Sequence, residues 1–289
     1  MTVFGLLNWS TNTLKDHEVE NPRLNAELLL ASSLNLSTEG LYAHLHDQVK
    51  EREQRELEKL IQRRISGEPL QYILGHQEFW SIDFKVDRRV LIPRPETELL
   101  VEQSLSILSK TSFKRILSVL EIGTGSGAIA IALAKEMKNI FLVATDISKG
   151  ALALAMENAK SEGVQGQIEF VNGDLFGPFR PSRERKCFDL ILSNPPYIIR
   201  PEIGSLAKEV RDYEPIVALD GGEDGLEFYR RLISQAPFYL WEGGWLLLEI
   251  GQGQGPLVSG LIEEEGNFLK PDCIPDLSGI ERVVKVQRK

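Results

Sequence analysis

Cysteine and histidine are scarce in this chain, with two of the former and four of the latter among 289 residues. Cys187 and Cys273 stand far apart, without the short spacing of a metal clasp, and they read as reduced thiols of a reducing compartment. His17, His44, His46 and His76 all precede the glycine-rich part of the chain, so no imidazole chemistry and no metal site are expected. Long apolar runs are absent too. None approaches the roughly 20 residues a membrane-spanning helix needs. The opening MTVFGLLNWSTNTLKD lacks the basic start and apolar core of a secretory signal and the Arg- and Ser-rich composition of an organellar leader, so a cytoplasmic location is expected. Positive charge is in deficit: 33 Lys and Arg stand against 42 Asp and Glu, a net charge of −9. Tight nucleic-acid binders neutralise phosphates with a basic surface, so this balance argues against a nucleic-acid substrate. The most basic stretch, RPSRERK (180–186), reads as a solvated loop between strands.

The rest of the composition, 42% hydrophobic and 26% charged, is that of an ordinary globular protein. The length suits a main domain with a smaller companion. Up to about Gly67 the pattern is helical. Asn21-Pro22 reads as an N-cap followed by proline at the first helical position, after which Leu24, Leu28 and Ala31 share a face that Leu29 and Leu30 widen. A second helix fits Lys50 to Ser66, with Leu57, Leu60, Ile61 and Ile65 in one stripe. Such stripes need partners, so a bundle of three to five helices is expected over residues 1–75. Apolar and polar residues then alternate through Phe79, Trp80, Ile82, Phe84 and Val86, which predicts a hairpin linker over 76–95. A helix is expected from near Glu96 through Val101 and Leu105.

From residue 96 to 289 the style is alternating strand and helix. Strands are predicted at ILSVLEI (116–122), IFLVATD (140–146), QIEFVNGD (167–174), CFDLILSN (187–194), GWLLLEIG (244–251) and IERVVKVQ (280–287). Helices are predicted at AIAIALAKEM (128–137), after Asp146, and at GLEFYRRLISQAPFYL (225–240). The fold class is therefore α/β: a mostly parallel, Rossmann-like sheet with helices on both faces, preceded by the small bundle and the hairpin.

Glu121-Ile122-Gly123-Thr124-Gly125-Ser126-Gly127 lies where the first of these strands turns into a helix. Glycines there permit positive φ and let a ligand approach the backbone, and the helix beyond presents free N–H groups. Asp146 ends the second strand, 23 residues beyond Gly123, where a carboxylate can accept two ribose hydroxyls. A dinucleotide site would show G-x-G-x-x-G; this loop is G-x-G-x-G. That spacing resembles the class I S-adenosylmethionine methyltransferases, which implies that the loop faces the amino-acid end of the cofactor and that Asp174 and Leu175 lie against its adenine.

Asn194-Pro195-Pro196-Tyr197 closes the fourth strand. In a sheet ordered around the first strand, the C-terminal ends of strands one and four meet at the switch point, where ligands bind. Two prolines remove two N–H donors and stiffen the chain, leaving carbonyls free to face a ligand. A planar nitrogen has a delocalised lone pair and is a poor nucleophile. The Asn194 oxygen and the Pro195 carbonyl can each accept one of its N–H bonds, which fixes the nitrogen and enriches its density, while Tyr197 packs on the flat group. An activated methyl donor then needs in-line positioning and local electrostatics more than a strong base. Adenine N(6), guanine N(2) and glutamine N(5) all remain open on this chemistry.

The flanking segments carry a further resemblance. PRLNAELLLA (22–31), GEPLQYILG (67–75), FWSIDFKV (79–86), LIPRPETELLVE (91–102), SNPPYI (193–198), ALDGGEDGLEFYRRL (218–232), WLLLEIG (245–251) and DLSGIERVV (276–284) together resemble the HemK/PrmC family, the peptide chain release factor glutamine methyltransferases. The resemblance implies methylation, from S-adenosylmethionine, of the glutamine amide in the Gly-Gly-Gln motif of class I release factors in a bacterial cytoplasm. It implies that Glu121, Gly123 to Gly127, Asp146, Asp174, Leu175 and Asn194 hold the cofactor. It implies too that Asn194 to Tyr197 hold the glutamine and that the helical bundle docks the release factor; a monomer is expected. Some relatives carry an aromatic residue where this chain has Leu175, so an aliphatic face is expected there.

Overall fold

A computed structural model describes residues 1–111, 115–179 and 188–289, so the RPSRERK segment and Cys187 lie outside the described residues. The chain divides into two compact units. The first holds Met1–His76 together with Ala207–Tyr213, and the second holds Gln77–Leu206 with Glu214–Lys289.

The first unit is helical: α1 (Val3–Asp16), α2 (Pro22–Leu34), α3 (Thr38–Ala43), α4 (Glu51–Ile65) and α5 (Leu70–Leu74). Thr2 and Ser37 cap α1 and α3, accepting from the N–H groups of Gly5 and Gly40. Leu6, Leu7, Leu29, Leu30, Leu41, Leu57 and Ile61 close the core. The buried face of α2 differs from the expected one: Leu24 is half exposed, and Asn25, Ala26, Leu29 and Leu30 point inward. The cause is a buried polar residue. Asn25 donates from its side chain to the carbonyls of Glu20 and Asn21 and accepts from Arg64 Nε at 2.9 Å, and a pattern of apolar residues alone cannot reveal that. Asn21 has φ +48° and makes no side-chain cap bond, so only the Pro22 half of the expected start is present. Arg64 also pairs with Glu209 at 2.8 Å, and Tyr213 donates its hydroxyl to the Ser66 carbonyl.

Apart from its first residue, the hairpin of β1 (His76–Phe79) and β2 (Ile82–Lys85) belongs to the second unit. Its two turn residues, Trp80 and Ser81, both have left-handed φ, the geometry that matches strand twist in two-residue hairpins. Then follow α6 (Glu98–Lys110), β3 (Leu117–Ile122), α7 (Ala128–Glu136), β4 (Ile140–Asp146), α8 (Lys149–Ser161), β5 (Ile168–Asn172) and β6 (Phe188–Ser193). After the short α9 (Lys208–Arg211) of the helical unit come α10 (Glu227–Gln235), β7 (Leu240–Glu249), α11 (Gly255–Glu265), β8 (Asp272–Pro275) and β9 (Glu281–Gln287). The seven strands run in the order β5-β4-β3-β6-β7-β9-β8. Neighbours from β5 to β7 are parallel, and β9 is antiparallel to both β7 and β8.

The sheet is buried on both faces. Every residue of β6 is buried, as in a central parallel strand, and its one acid, Asp189, pairs with Arg115. Leu190, Leu192 and Leu247 pack on one face with α6 and α7, and Ile191, Leu246 and Leu248 on the other with α10 and α11. Truncating one of these to alanine typically costs about 2–5 kcal/mol. The helix expected over 225–240 ends at Gln235, because Pro237 cannot continue it and Leu240 already pairs with Phe188. Edge strand β8 is additional to the expected set.

Candidate active site

Strands β3 and β6 are neighbours, with Ile122 opposite Ser193. The glycine loop and Asn194 therefore leave the sheet side by side. A Cβ at Gly123 would lie 3.9 Å from the Asn194 carbonyl oxygen. Both segments line one cleft, together with Arg94 and Thr97 before α6, Asp146 at the end of β4, and Asp174 and Leu175 after β5.

The loop is held from below. Gly123 and Thr124 donate their N–H groups to the Thr145 carbonyl at 2.8 and 2.9 Å. Glu121, on the face of β3 toward α7, accepts from the Thr124 hydroxyl at 2.8 Å and from the Ala130 N–H at 3.1 Å. Its second oxygen is buried without a partner among the described residues. Gly127 caps α7 with φ +83°, and a Cβ there would meet Ile131 at 2.9 Å and Ala155 at 3.1 Å, so only glycine fits the turn. Asp146 accepts from the Gly125 and Ser148 N–H groups at 2.9 and 2.8 Å, one on each oxygen. A carboxylate oxygen has two lone pairs, so each can accept again from a ligand hydroxyl.

Burial raises the carboxyl groups of this region. Glu121 is pushed up to about 8 by desolvation against the Thr124 bond, and Asp146 is raised by the same cause. Glu249, at the end of β7, is pushed up to about 7 by burial. Folded chains keep these protons over a range in which unfolded chains have lost them. This stabilisation is therefore complete below the ordinary carboxylate range and disappears as pH rises through the folded values. A melting-temperature scan of the ligand-free protein should show a decline from about pH 5 to about pH 8. Glu121→Gln, which keeps an acceptor for Thr124 and Ala130, should flatten much of it. A melting temperature that rises over this interval would contradict the assignment.

Asp174 forms an ion pair with Arg231 of α10 at 2.6 Å. Leu175 has φ +47°, a left-handed conformation uncommon for a branched side chain, and is buried. Phe176 turns away from the cleft and stacks on Tyr239 at 4.7 Å. The aromatic ring that does line the cleft near Asp174 and Leu175 is Phe228, with the Arg231 guanidinium 5.9 Å from its centroid.

Asn194 donates from Nδ2 to the Thr97 hydroxyl at 3.2 Å. Pro195 is buried, and no N–H of the described residues bonds the Asn194, Pro195 or Pro196 carbonyls. Tyr197 is held by its backbone. Its carbonyl accepts from Gln254 Nε2 at 3.1 Å, and the next residues form a short ladder with the 219–222 segment: Ile198 N–H to Leu219 O at 3.0 Å, Gly221 N–H to Ile198 O at 2.8 Å, Arg200 N–H to Gly222 O at 2.9 Å. Gly221 and Gly225 lie against Tyr197 so closely that a Cβ would fall 2.7 Å from its Cα or 2.6 Å from its carbonyl oxygen. Burial, reinforced by Glu249, pushes the Tyr197 phenol up to about 12, so it stays neutral across the working range.

Of the residues expected from the sequence, all line this cleft except Gly127, which forms the turn into α7 behind it, and Tyr197, which packs against the core of α10 and β7. Thr97, Phe228, Glu249 and the pair Gly221 and Gly225 were not singled out individually by sequence. LIPRPETE and ALDGGEDGL stood out as whole segments, and an acid ending the apolar WLLLE strand was the available sign for Glu249. The four histidines belong to the helical unit, and among the described residues no group of three His, Cys, Asp or Glu is placed to hold a metal.

A parallel sheet with a reversed β9, a glycine turn braced by the buried Glu121 and the partly buried Asp146, and Asn-Pro-Pro-Tyr beside that turn define a methyltransferase of the α/β class. Residues 5–75 match the model of the PrmC N-terminal domain, and residues 97–208 that of the methyltransferase small domain. The chain is 44% identical over 283 residues to the release factor glutamine methyltransferase of Geobacter sulfurreducens, spanning 98% of this chain and 95% of that one. It is 40% identical to the like-named protein of Koribacter versatilis over 98% of both chains. A methyltransferase structure from Pyrococcus furiosus shares the fold, with a TM-score of 0.51 and 18% identity over 81% of this chain and 98% of that one. The chain belongs to the release factor glutamine methyltransferase family.

Proposed function

We propose that this enzyme transfers a methyl group from S-adenosylmethionine to the side-chain amide nitrogen of the glutamine in the Gly-Gly-Gln motif of class I peptide chain release factors, modulating translation termination. The observation that carries this reading is Asn194, anchored through its amide nitrogen to Thr97 at 3.2 Å beside carbonyls that no described N–H uses, in a chain 44% identical to a protein of that name.

The residues present fit the cofactor. Asp146 has lone pairs to spare for ribose hydroxyls, Gly123 to Gly127 expose a backbone cradle, and Glu121 beneath it keeps one buried oxygen without a partner. Asp174, Leu175 and Phe228 offer the adenine end, with Phe228 supplying the aromatic face that position 175 lacks. When bound, the sulfonium supplies an electrophilic methyl group.

The chain's own residues then act on the nitrogen. The Asn194 oxygen and the Pro195 carbonyl accept its two N–H bonds, holding the amide plane and drawing positive charge from the nitrogen as it attacks. Tyr197, neutral and fixed through its backbone by Gln254 and the 219–222 segment, holds the Asn-Pro-Pro stretch in place from behind. The nitrogen's proton becomes acidic only after the new bond forms, so solvent can take it. We assign residues 1–75 to docking of the release factor, 76–95 to the linker and 96–289 to catalysis. The enzyme acts as a cytoplasmic monomer on protein, in keeping with its net charge of −9; no helix among the described residues is long and apolar enough to cross a membrane.

Radiolabelled cofactor offered with release factor, ribosomal RNA or DNA tests this. Label is expected on the release factor and lost when its loop glutamine is changed to alanine. Label on RNA or DNA alone would support exocyclic amino nitrogens as acceptors and overturn the proposal.

A further inference from the structure

The hairpin of β1 and β2 is fastened to the helix that follows the glycine loop. Phe79, Ile82 and Phe84 are buried in one core with Ala128 to Ala134 of α7. At the hairpin turn, Trp80 donates from Nε1 to Glu136, the last residue of α7, at 2.9 Å. At the end of β2, the backbone of Lys85 is bound by the side chain of Asn158 of α8, which is 2% exposed.

Asn158 makes three bonds, and all three are to backbone. Its Oδ1 accepts from the Lys85 N–H at 3.0 Å. Its Nδ2 donates to the Lys85 carbonyl at 3.1 Å and to the Ser126 carbonyl at 2.9 Å. The amide thus pairs with Lys85 as a neighbouring strand would, and sends its second hydrogen to the glycine loop. The N–H can only donate and the two carbonyls can only accept. A flipped amide would turn its oxygen toward both carbonyls, so these partners admit one orientation.

The bond to Ser126 fixes a peptide of the loop. The Ser126 carbonyl is held by Asn158, and the N–H of the same peptide, on Gly127, donates to the Thr124 carbonyl at 2.8 Å. A peptide bonded at both ends cannot rotate without breaking one of the two bonds. Ser126 and Ala128 on either side of Gly127 line the cleft. One turn before Asn158, Ala155 packs behind the loop, 3.1 Å from where a Cβ of Gly127 would lie. Ala155 and Asn158 share the buried stripe of α8 with Ala151 and Leu154. An amide in such a stripe is tolerated because its hydrogen bonds are made.

We propose that Asn158 is a positioning residue for S-adenosylmethionine binding: it ties the Ser126 carbonyl to the backbone of β2, which makes the hairpin a supporting part of the cofactor loop. The proposal rests on the assignment of Gly123 to Gly127 to the cofactor. A loop held in its binding conformation before the ligand arrives loses less freedom on binding.

Asn158→Ala tests this, since alanine suits the helix and its stripe but leaves the Ser126 carbonyl without its partner. Calorimetric titration of the full-length protein with S-adenosylmethionine, well below the melting temperature, should show Kd raised about tenfold, the scale of one lost hydrogen bond. KM for the cofactor should rise with it, and kcat on release factor at saturating cofactor should stay nearly unchanged. Trp80→Phe is the control: it removes the hairpin's bond to Glu136, far from the loop, and should lower the melting temperature without changing Kd. Native affinity in Asn158→Ala would overturn the proposal, as would an equal loss in Trp80→Phe. Should Asn158→Ala fail to fold, amide hydrogen exchange in the native protein carries the test. Saturating cofactor should slow exchange at Lys85, whose N–H is bound to Asn158, more than at Trp80, whose N–H is bound to Glu98 in the same hairpin. Equal slowing at the two overturns the positioning role. A native protein that does not bind S-adenosylmethionine overturns instead the assignment of the loop to the cofactor, and this inference with it. Tight binding without methylation of release factor upholds the inference and overturns the proposed function.

Discussion

Asn194→Ala should reduce turnover by about 10²–10³-fold while the affinity for S-adenosylmethionine stays within about threefold of the native value. The expectation follows from where the side chain points. Its amide nitrogen is bound to Thr97, and the described contacts of the glycine loop and Asp146 do not involve it. Alanine removes one of two acceptors for the reacting nitrogen and leaves the cradle intact. Calorimetric titration of the cofactor beside single-turnover methylation of release factor separates the two quantities. A parallel fall in cofactor affinity would mean that Asn194 belongs to the cofactor site and that another group orients the amide.

Gly225→Ala should be almost as damaging, although Gly225 offers no side chain to the reaction. Its φ is +72°, and a Cβ there would fall 2.6 Å from the Tyr197 carbonyl oxygen and 2.9 Å from Gln254 Nε2. Backbone cannot yield cheaply at such a distance, so the Asn-Pro-Pro-Tyr segment must move. A displacement of about 1 Å of a positioned group can cost about 10²-fold in rate. The left-handed conformation adds about 1–3 kcal/mol of strain for a residue with a side chain. Rate and melting temperature should therefore fall together, whereas cofactor affinity should hold. Full activity with a lowered melting temperature would show that Tyr197 tolerates the shift and has no positioning role.

These expectations show which parts of the site were legible in the sequence. Glu121 to Gly127 and Asp146 were readable because their signal is local: a continuous apolar strand, a glycine turn, a helix, and an acid at the end of the next strand. The adjacency of Asn194 to that turn followed from a rule of sheet order, and β3 beside β6 obeys it. Thr97 was not readable in the same way. Thr97 lies 97 positions from Asn194 along the chain, and a hydrogen-bond chain leaves no periodicity. Leu24 was misplaced because Asn25 occupies a buried position through bonds to Glu20, Asn21 and Arg64. Strand β8 escaped because it is four residues long, ends in Pro275 and lies at an edge, where pairing to β9 rather than composition makes it a strand.

The assignment of Ala207–Tyr213 to the helical unit bears on how this protein can be dissected. Cutting the chain after residue 76 does not separate two modules. Glu209 would lose Arg64, Tyr213 would lose Ser66, and Lys208 would lose the glycine it covers at position 67. The remaining fragment would carry a seven-residue orphan in the loop between β6 and β7, the same loop that follows the Asn-Pro-Pro-Tyr segment. Domain deletion is thus a poor probe of what the helices contribute. Point changes on their outer faces, such as at Phe4 or Tyr42, leave the orphan's partners in place.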